Sequence, residues 1–295
     1  MLTKDNSILL DVYATETTDD IVQKTQFISQ QAYDGLVVAG GDGTLFYVLN
    51  GLATNTSLPI AVLPLGTGND LSNMLGIRTV SDTVNAIRES NLRAVDILEC
   101  EYTDQSDQPR TARFCSTAGI GVFANLFRQE HMPFAQRLRK YTGNLNNYLY
   151  IIPAFLNTCA VKCTLMVNQK QQTIHVKLLE ISKVCQSGGL TFTPRAKLDS
   201  GLFDMWMVND ISLLSLVRIA LKAIFQRHLN DTNVFYVSDT DDHNPYGLSK
   251  LDTLDLEIAG KAPFHIHGEF LGHNPSRIKF SGEKMYFYSN KVPPD

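Results

Sequence analysis

The stretch that most restricts this chain is Leu36-Val37-Val38-Ala39-Gly40-Gly41-Asp42-Gly43-Thr44. Its unbroken apolar run, Leu36 to Ala39, predicts a buried strand of a parallel sheet. The glycines that follow predict a turn, and Leu45 to Ala53 reads as a helix that stops near Asn50-Gly51. Strand, glycine turn and helix in that order present backbone N–H groups at a helix N-terminus, where the macrodipole is positive. Such a place binds phosphate. Glycine suits the turn because a Cβ would hold an anion away from the amides. Asp42 inside that turn makes chemical sense with a cation between it and the phosphate. The stretch points to a nucleotide–metal site; the plainer alternative is a βα turn whose glycines serve packing.

A second unit repeats the theme. Pro59-Ile60-Ala61-Val62-Leu63-Pro64-Leu65 reads as another buried strand, and it runs into Gly66-Thr67-Gly68-Asn69-Asp70. Ligands of open α/β sheets bind at the carboxyl ends of strands, so the two turns are expected to face one cleft.

The rest of the chain sets limits. With 295 residues it is long enough for two domains with cores of their own. A net charge of −4 and a pI near 6.0 argue against a nucleic-acid binder that works by neutralising phosphates. The five cysteines lack metal-ligand spacing and read as free thiols of a reducing compartment, with Cys159 and Cys163 as small core residues. Lys4, Asp5 and Asp11 interrupt any signal-peptide pattern, and Tyr148 to Val161 is too short to span a bilayer. A cytoplasmic protein, at most peripheral at the inner face of a membrane, is expected.

In order, Ile8 to Tyr13 is expected as a strand and Ile21 to Ala32 as a helix. Then come the two strand–turn units and a helix over Thr79 to Asn91 with Val80, Val84 and Ile87 on its apolar stripe. Alternating strands and helices imply a parallel sheet. After Asp96 the texture becomes β-rich: Ile97–Tyr102, Ala112–Cys115, Lys162–Val167, Thr173–Ile181 and Leu202–Val208 read as strands. Helices are expected at Phe123–Phe127, Phe134–Phe155 and Ser212–Arg227, and a loop over Asp239 to Lys250.

Gly40-Gly41-Asp42-Gly43-Thr44, Asn50-Gly51 and Leu63-Pro64-Leu65-Gly66-Thr67-Gly68-Asn69-Asp70 together resemble the diacylglycerol kinase catalytic domain, most of all that of bacterial lipid kinases. The resemblance continues in order through Ala94-Val95-Asp96, Gly188-Gly189, Pro194-Arg195-Ala196, Gly201-Leu202-Phe203-Asp204 and His267-Gly268-Glu269. It implies an α/β nucleotide-binding domain over residues 1–96, like that of NAD kinases and phosphofructokinases, rejoined by residues 284–295. It also implies a larger β-sandwich over 97–283 that takes the lipid, with the active site between the two.

Phosphoryl transfer needs positioning and charge neutralisation. Gly40, Gly41, Gly43 and Thr44 would hold the ATP phosphates through amides, with Gly66, Thr67, Gly68 and Asn69 adding hydrogen bonds. Asp42, Asp70 and Asp96 each stand near a strand end and can gather Mg²⁺, although Asp70 alone also reads as a helix cap. Thr15 matches a family position that contacts the nucleotide, and it equally reads as a helix N-cap. Glu269 matches the family's general base, taking the proton of a lipid hydroxyl such as that of diacylglycerol at a membrane surface. Leu138 to Phe155, basic and then aromatic, can touch lipid, or form a core helix with a solvated basic end.

This chain departs from the family in five places. His267 stands where relatives have Asp, so a neutral imidazole takes over from a carboxylate beside the catalytic group. Phe46 and Tyr47 stand where relatives carry Asn and Glu. Asp199-Ser200-Gly201 replaces an Asp-Asp-Gly metal loop, leaving Ser200 and the carbonyls of Lys197 and Leu202 as weaker ligands. A leading strand with an Asn-Pro-type turn does not precede Ile8–Tyr13, and the unpaired edge calls for cover by a homodimer or by the returning C-terminus. Two readings follow: an ATP-dependent lipid kinase, or a relative that binds nucleotide or lipid without turnover and acts as a sensor. Asp42, Asp70, Asp96 and Glu269 favour the first; His267, Tyr47 and the short start favour the second.

Overall fold

The computed structural model describes residues 9–130, 153–187, 190–210, 212, 214, 215, 234–237 and 251–290. Helix α1 (Thr18–Ile28) opens the ordered elements, followed by β1 (Leu36–Gly40), α2 (Asp42–Gly51), β2 (Ile60–Pro64), α3 (Asp70–Met74) and α4 (Val80–Glu89). Two of these helices, α1 and α4, start on local caps. Thr17, not Thr15, caps α1 by accepting from the Asp20 N–H. Thr79 and Asp82 form a capping box on α4. Thr15 lies two residues before the cap of α1 and is exposed.

The β-rich part comprises β3 (Leu92–Asp104), β4 (Pro109–Phe114), β5 (Thr117–Gly121), helix α5 (Val122–Glu130), β6 (Val161–Val167), β7 (Lys170–Ser182), the two-residue pair β8 (Gln186–Ser187) and β9 (Leu190–Thr191), β10 (Asp204–Asn209), β11 (Val234–Val237), β12 (Thr253–Ile258), β13 (Pro263–Ile266) and β14 (Glu269–Tyr288). Among the described residues, all strands but β8 and β9 belong to one twelve-stranded sheet.

The expected sandwich is instead a closed barrel. Strand β14 pairs with β12, β12 with β6, β6 with β7, β7 with β5, β5 with β13, and β13 returns to β14. Closure is possible because β7 and β14 are long enough to serve two partners each on one side, so no second stacked sheet is needed. The barrel is filled by Leu98, Phe114, Ile120, Leu165, Leu179, Met205, Leu254, Phe264 and Ile278.

The nucleotide-type end uses the same sheet. β1 and β2 run parallel from Leu36↔Ile60 to Gly40↔Pro64, and Phe287 of β14 continues the parallel order beside Ile60. β3 then runs antiparallel to β14, from Leu92↔Tyr288 at one end to Asp104↔Gly272 at the other. The boundary expected at 96/97 therefore falls inside a strand. The core here is Val38, Leu45, Leu49, Val62, Leu71 and Phe287.

Helix α2 belongs to both cores. Leu45, Val48 and Leu49 face the parallel strands, while Phe46 enters the barrel cluster with Tyr47 packed on its margin. Burying one such phenyl ring contributes about 2–3 kcal/mol. The strand expected over Ile8–Tyr13 does not form over residues 9–13: Leu9 and Val12 are 96% and 85% exposed, so no apolar burial offsets the cost of ordering them. Much of Phe134–Phe155, most of Ser212–Arg227 and all of Asp239–Lys250 lie outside the described residues, as do Gly188-Gly189. All five cysteines are free; Cys163 is buried and Cys159 is exposed, so only Cys163 of that pair is a core residue.

Candidate active site

The two glycine turns meet. A Cβ on Gly41 would lie 2.8 Å from the Gly66 Cα, so side chains at either position would drive the turns apart. The Leu65 N–H donates to the Gly40 carbonyl at 3.1 Å across the junction. Gly41 is the N-cap of α2 and brings no side chain to the first-turn amides, which leaves the positive helix end open to an anion. Asn69 spends its amide on its own turn: Nδ2 donates to the Gly66 carbonyl at 2.8 Å and Oδ1 accepts from the Gly66 N–H at 3.0 Å. It shapes the loop from a left-handed backbone, φ +54°. Thr67 is exposed at the tip of the turn.

Asp42 reaches across to the second turn. Its two carboxylate oxygens accept from the Asp70 N–H at 3.1 and 3.2 Å, so the N-terminus of α3 is capped by Asp42 rather than by Asp70. Burial pushes the Asp42 carboxyl up, against the pull of the Asp70, Leu71 and Asn69 amides. Asp70 lies close by. A Cβ on Gly68 would sit 3.0 Å from Asp42 Oδ2 and 3.6 Å from both Asp70 carboxylate oxygens, so the bare glycine leaves a space bordered by two carboxylates. One or two carboxylates with phosphates and waters is the set that Mg²⁺ takes, and this space fits a nucleotide-borne Mg²⁺.

Asp96 does not join them. Its side chain is wholly buried and bonded to Lys183, and no group of three acidic, His or Cys side chains suited to a metal occurs among the described residues. Ser200 Oγ and the Leu202 carbonyl of the expected metal loop both meet the same lysine, which takes up these two donors.

Glu269, the first residue of β14, brings its carboxylate from the far end of the chain onto the first turn of α2. It packs so closely on Gly43 that a Cβ there would collide with Oε1. The Tyr47 hydroxyl donates to Oε2 at 3.4 Å, and burial with the nearby carboxylate raises the phenol pKa. Tyr47 thus meets the catalytic candidate directly, a contact that its reading as a mere departure misses.

His267 is wholly committed to backbone. Nε2 accepts from the Cys115 and Ser116 N–H groups at 3.1 and 3.0 Å, and Nδ1 donates to the Asp42 carbonyl at 3.2 Å. Those partners require the neutral Nδ1–H tautomer. Burial holds its pKa down at about 4. The rings of Phe46 and Phe114 lie 6.0 and 6.4 Å from the imidazole, so its surroundings are apolar as well as amide-rich. The residue pins the glycine turn to the β4–β5 corner and has no nitrogen left for Glu269.

The other end of α2 is clamped too. Arg113 donates to the Leu49 and Leu52 carbonyls and pairs with Glu283 at 3.2 Å. A cation at a helix C-terminus complements the dipole, and its burial makes the clamp stiff. Phe270 follows Glu269 and points to the opposite face, where it lines a cavity of about 490 Å³ with Asn125, Arg128 and Pro263.

The diacylglycerol kinase catalytic domain matches residues 1–100 of this chain. The likeness to that catalytic domain is thus carried by the first 100 residues of the 295. Curated diacylglycerol kinases from Bacillus subtilis (strain 168) and Staphylococcus carnosus (strain TM300) are 24% and 25% identical to it over 270 and 284 residues. These alignments take in 90% and 95% of this chain and 81% and 84% of the relatives. A solved diacylglycerol kinase from Bacillus anthracis str. Sterne superposes with a TM-score of 0.64 at 18% identity, covering 94% of this chain and 83% of that one, which is a likeness of fold. The two glycine turns, the carboxylates of Asp42 and Asp70, and Glu269 meet at one place, at the start of α2 and α3. No helix among the described residues is long and apolar enough to cross a membrane.

Proposed function

We propose that this chain is a lipid kinase that transfers the γ-phosphoryl group of ATP to a hydroxyl of a diacylglycerol-like lipid. The observation that carries the reading is the seat of Glu269: a carboxylate brought onto Gly43 at the open N-terminus of α2, and held by Tyr47. The phosphates lie on the amides of Gly41 to Thr44, next to the Gly66–Gly68 turn. Glu269 takes the proton of the acceptor hydroxyl as the oxygen attacks phosphorus, a general-base role contributing about 10²–10⁴ in rate. Asp42 and Asp70 hold Mg²⁺ carried by the nucleotide, which when bound neutralises charge on the transferred group. Asp42 also locks the two turns, and His267 positions the Asp42 carbonyl without entering the chemistry. Thr15, exposed two residues before the cap of α1, would contact the nucleotide. The acceptor is reached at a membrane surface; of Leu138–Phe155, Ala154 and Phe155 are buried in a core cluster and most of the rest lies outside the described residues. The outer edge of β1 has no partner among the described strands, and pairing in a homodimer would cover it.

The test is transfer of radiolabelled γ-phosphate from MgATP to diacylglycerol and other lipid alcohols in mixed micelles, with Glu269→Gln beside the wild type. Labelled lipid that falls at least about 10²-fold in Glu269→Gln, with nucleotide affinity kept, is the expected result. Equal turnover in the variant would remove Glu269 from the chemistry. Retained ATP binding with no labelled lipid in either protein would return the sensor reading to first place.

A further inference from the structure

Lys183 is a lysine that the barrel swallows whole: its side chain has no exposed surface. It stands just past β7, with its backbone N–H bonded to the Ser116 carbonyl at 2.8 Å. Its Nζ donates to Asp96 Oδ2 at 2.8 Å, to the Leu202 carbonyl at 2.5 Å and to Ser200 Oγ at 3.4 Å. An ammonium has three N–H bonds, and three oxygens meet it. Asp96 Oδ2 accepts a further hydrogen bond from the Gly201 N–H at 2.6 Å, so loop and carboxylate are drawn to one point. Lys284 Nζ lies 3.3 Å from Asp96 Oδ1 and donates at 3.1 Å to the Asp199 carbonyl, adding positive charge at the rim.

A carboxylate, a hydroxyl and a carbonyl around one centre are hard oxygen donors, the set that Ca²⁺ or Mg²⁺ would select. Here the centre is occupied by the chain itself. We infer that Lys183 Nζ is the resident cation of the 197–202 loop, so that this loop closes without a metal ion. Charge accounting agrees. Relative to an Asp-Asp-Gly loop, Ser200 removes one negative charge, and exchanging a divalent cation for an ammonium removes one positive charge. A second cation would have to share Asp96 and Leu202 with the ammonium at close range, where repulsion is barely screened. The inference holds whether or not the chain transfers phosphate.

The experiment is thermal unfolding of the full chain without nucleotide, in EDTA and in millimolar Ca²⁺ or Mg²⁺. The readout is the divalent-induced rise in Tm of a variant minus that of the wild type, so that cations bound elsewhere cancel. In EDTA, Lys183→Ala unfolds roughly 10 °C below wild type, because Asp96 is left buried without its partner. Lys183→Ala combined with Ser200→Asp then recovers several degrees in Ca²⁺ or Mg²⁺ that the wild type does not gain. A divalent-induced rise no larger in this double variant than in the wild type overturns the inference. Should the Lys183 variants fail to fold, Ser200→Asp alone decides. With the ammonium in place it stays as divalent-insensitive as wild type, and a saturable gain in Tm overturns the inference.

Discussion

Behind the glycine turns and within them, carboxylates are stabilised in opposite ways. Asp96 is buried against two lysines, with Oδ2 hydrogen-bonded and Oδ1 left with an ion pair to Lys284 and no hydrogen bond. Asp42 and Glu269 meet backbone amides, a glycine surface and a tyrosine hydroxyl, partners that satisfy hydrogen bonds but leave the charge in place. The first arrangement answers a carboxylate with the chain's own cations. The second keeps negative charge beside an open helix N-terminus, and it is receptive to a cation and an anion together. A carboxylate's role is thus set by what neutralises it, not by the strand end it occupies.

Four substitutions probe that contrast. The largest effect belongs to Asp96→Ala, which strands the Lys183 ammonium and is expected to lower stability by about 4 kcal/mol in urea unfolding. A loss below about 1 kcal/mol would erase the distinction between the regions. Next is His267. Its pKa is about 4 in the fold against 6.5 for an unperturbed histidine, so the unfolded chain binds the proton first as pH falls. Stability from this group is complete above about pH 6.5 and drains away down to about pH 4, amounting to about 3 kcal/mol. His267→Asn should flatten that part of the pH–stability curve; an unchanged curve would mean that the ring is not held neutral. Gly43→Ala comes third. The new methyl's nearest neighbours all belong to the Glu269 side chain, which can swing away, and alanine favours a helix, so stability holds or rises while transfer drops by roughly 10²-fold. Full activity would show that Glu269 need not sit where it does. The smallest is Tyr47→Phe, which removes one long hydrogen bond. A fall in kcat of a few-fold, with stability within about 1 kcal/mol, is expected, and a loss as deep as that of Glu269→Gln would make the hydroxyl part of the chemistry.

The nucleotide end was legible because its signals are local. Leu36–Ala39 and Ile60–Leu63 are apolar runs ended by glycine, and the helices flanking them are set by nearby residues. The barrel was legible strand by strand, but not in its closure. That depends on the short β5 and β13 finding β7 and β14, and no residue announces such pairing. Ile8–Tyr13 shows the converse: a short, mostly apolar run predicts a strand, yet a strand forms only where a partner and a core await it. Phe46 and His267, read singly, look like losses. Together they compensate, since phenyl rings around position 267 suit a neutral imidazole better than a carboxylate. Lys183 had one signal, a lysine at the end of the largely apolar run Leu178 to Val184, where burial demands a partner. Which partner it finds, Asp96, lies 87 residues away and could not be read.

Strand β14 carries a consequence for how the molecule is made. It is the last strand in sequence, yet β2, β3, β12 and β13 all pair with it. As the polypeptide leaves the ribosome, the barrel cannot close until β14 has emerged as far as Lys279, nor can β14 join β2 until Phe287 has. Until then β3, laid down almost two hundred residues earlier, offers one bare edge to solvent and to neighbours. Such non-local pairing makes folding slow and exposes the nascent chain to edge-to-edge association. The same strand that unites the two cores leaves β3 without its longest pairing until the end of synthesis.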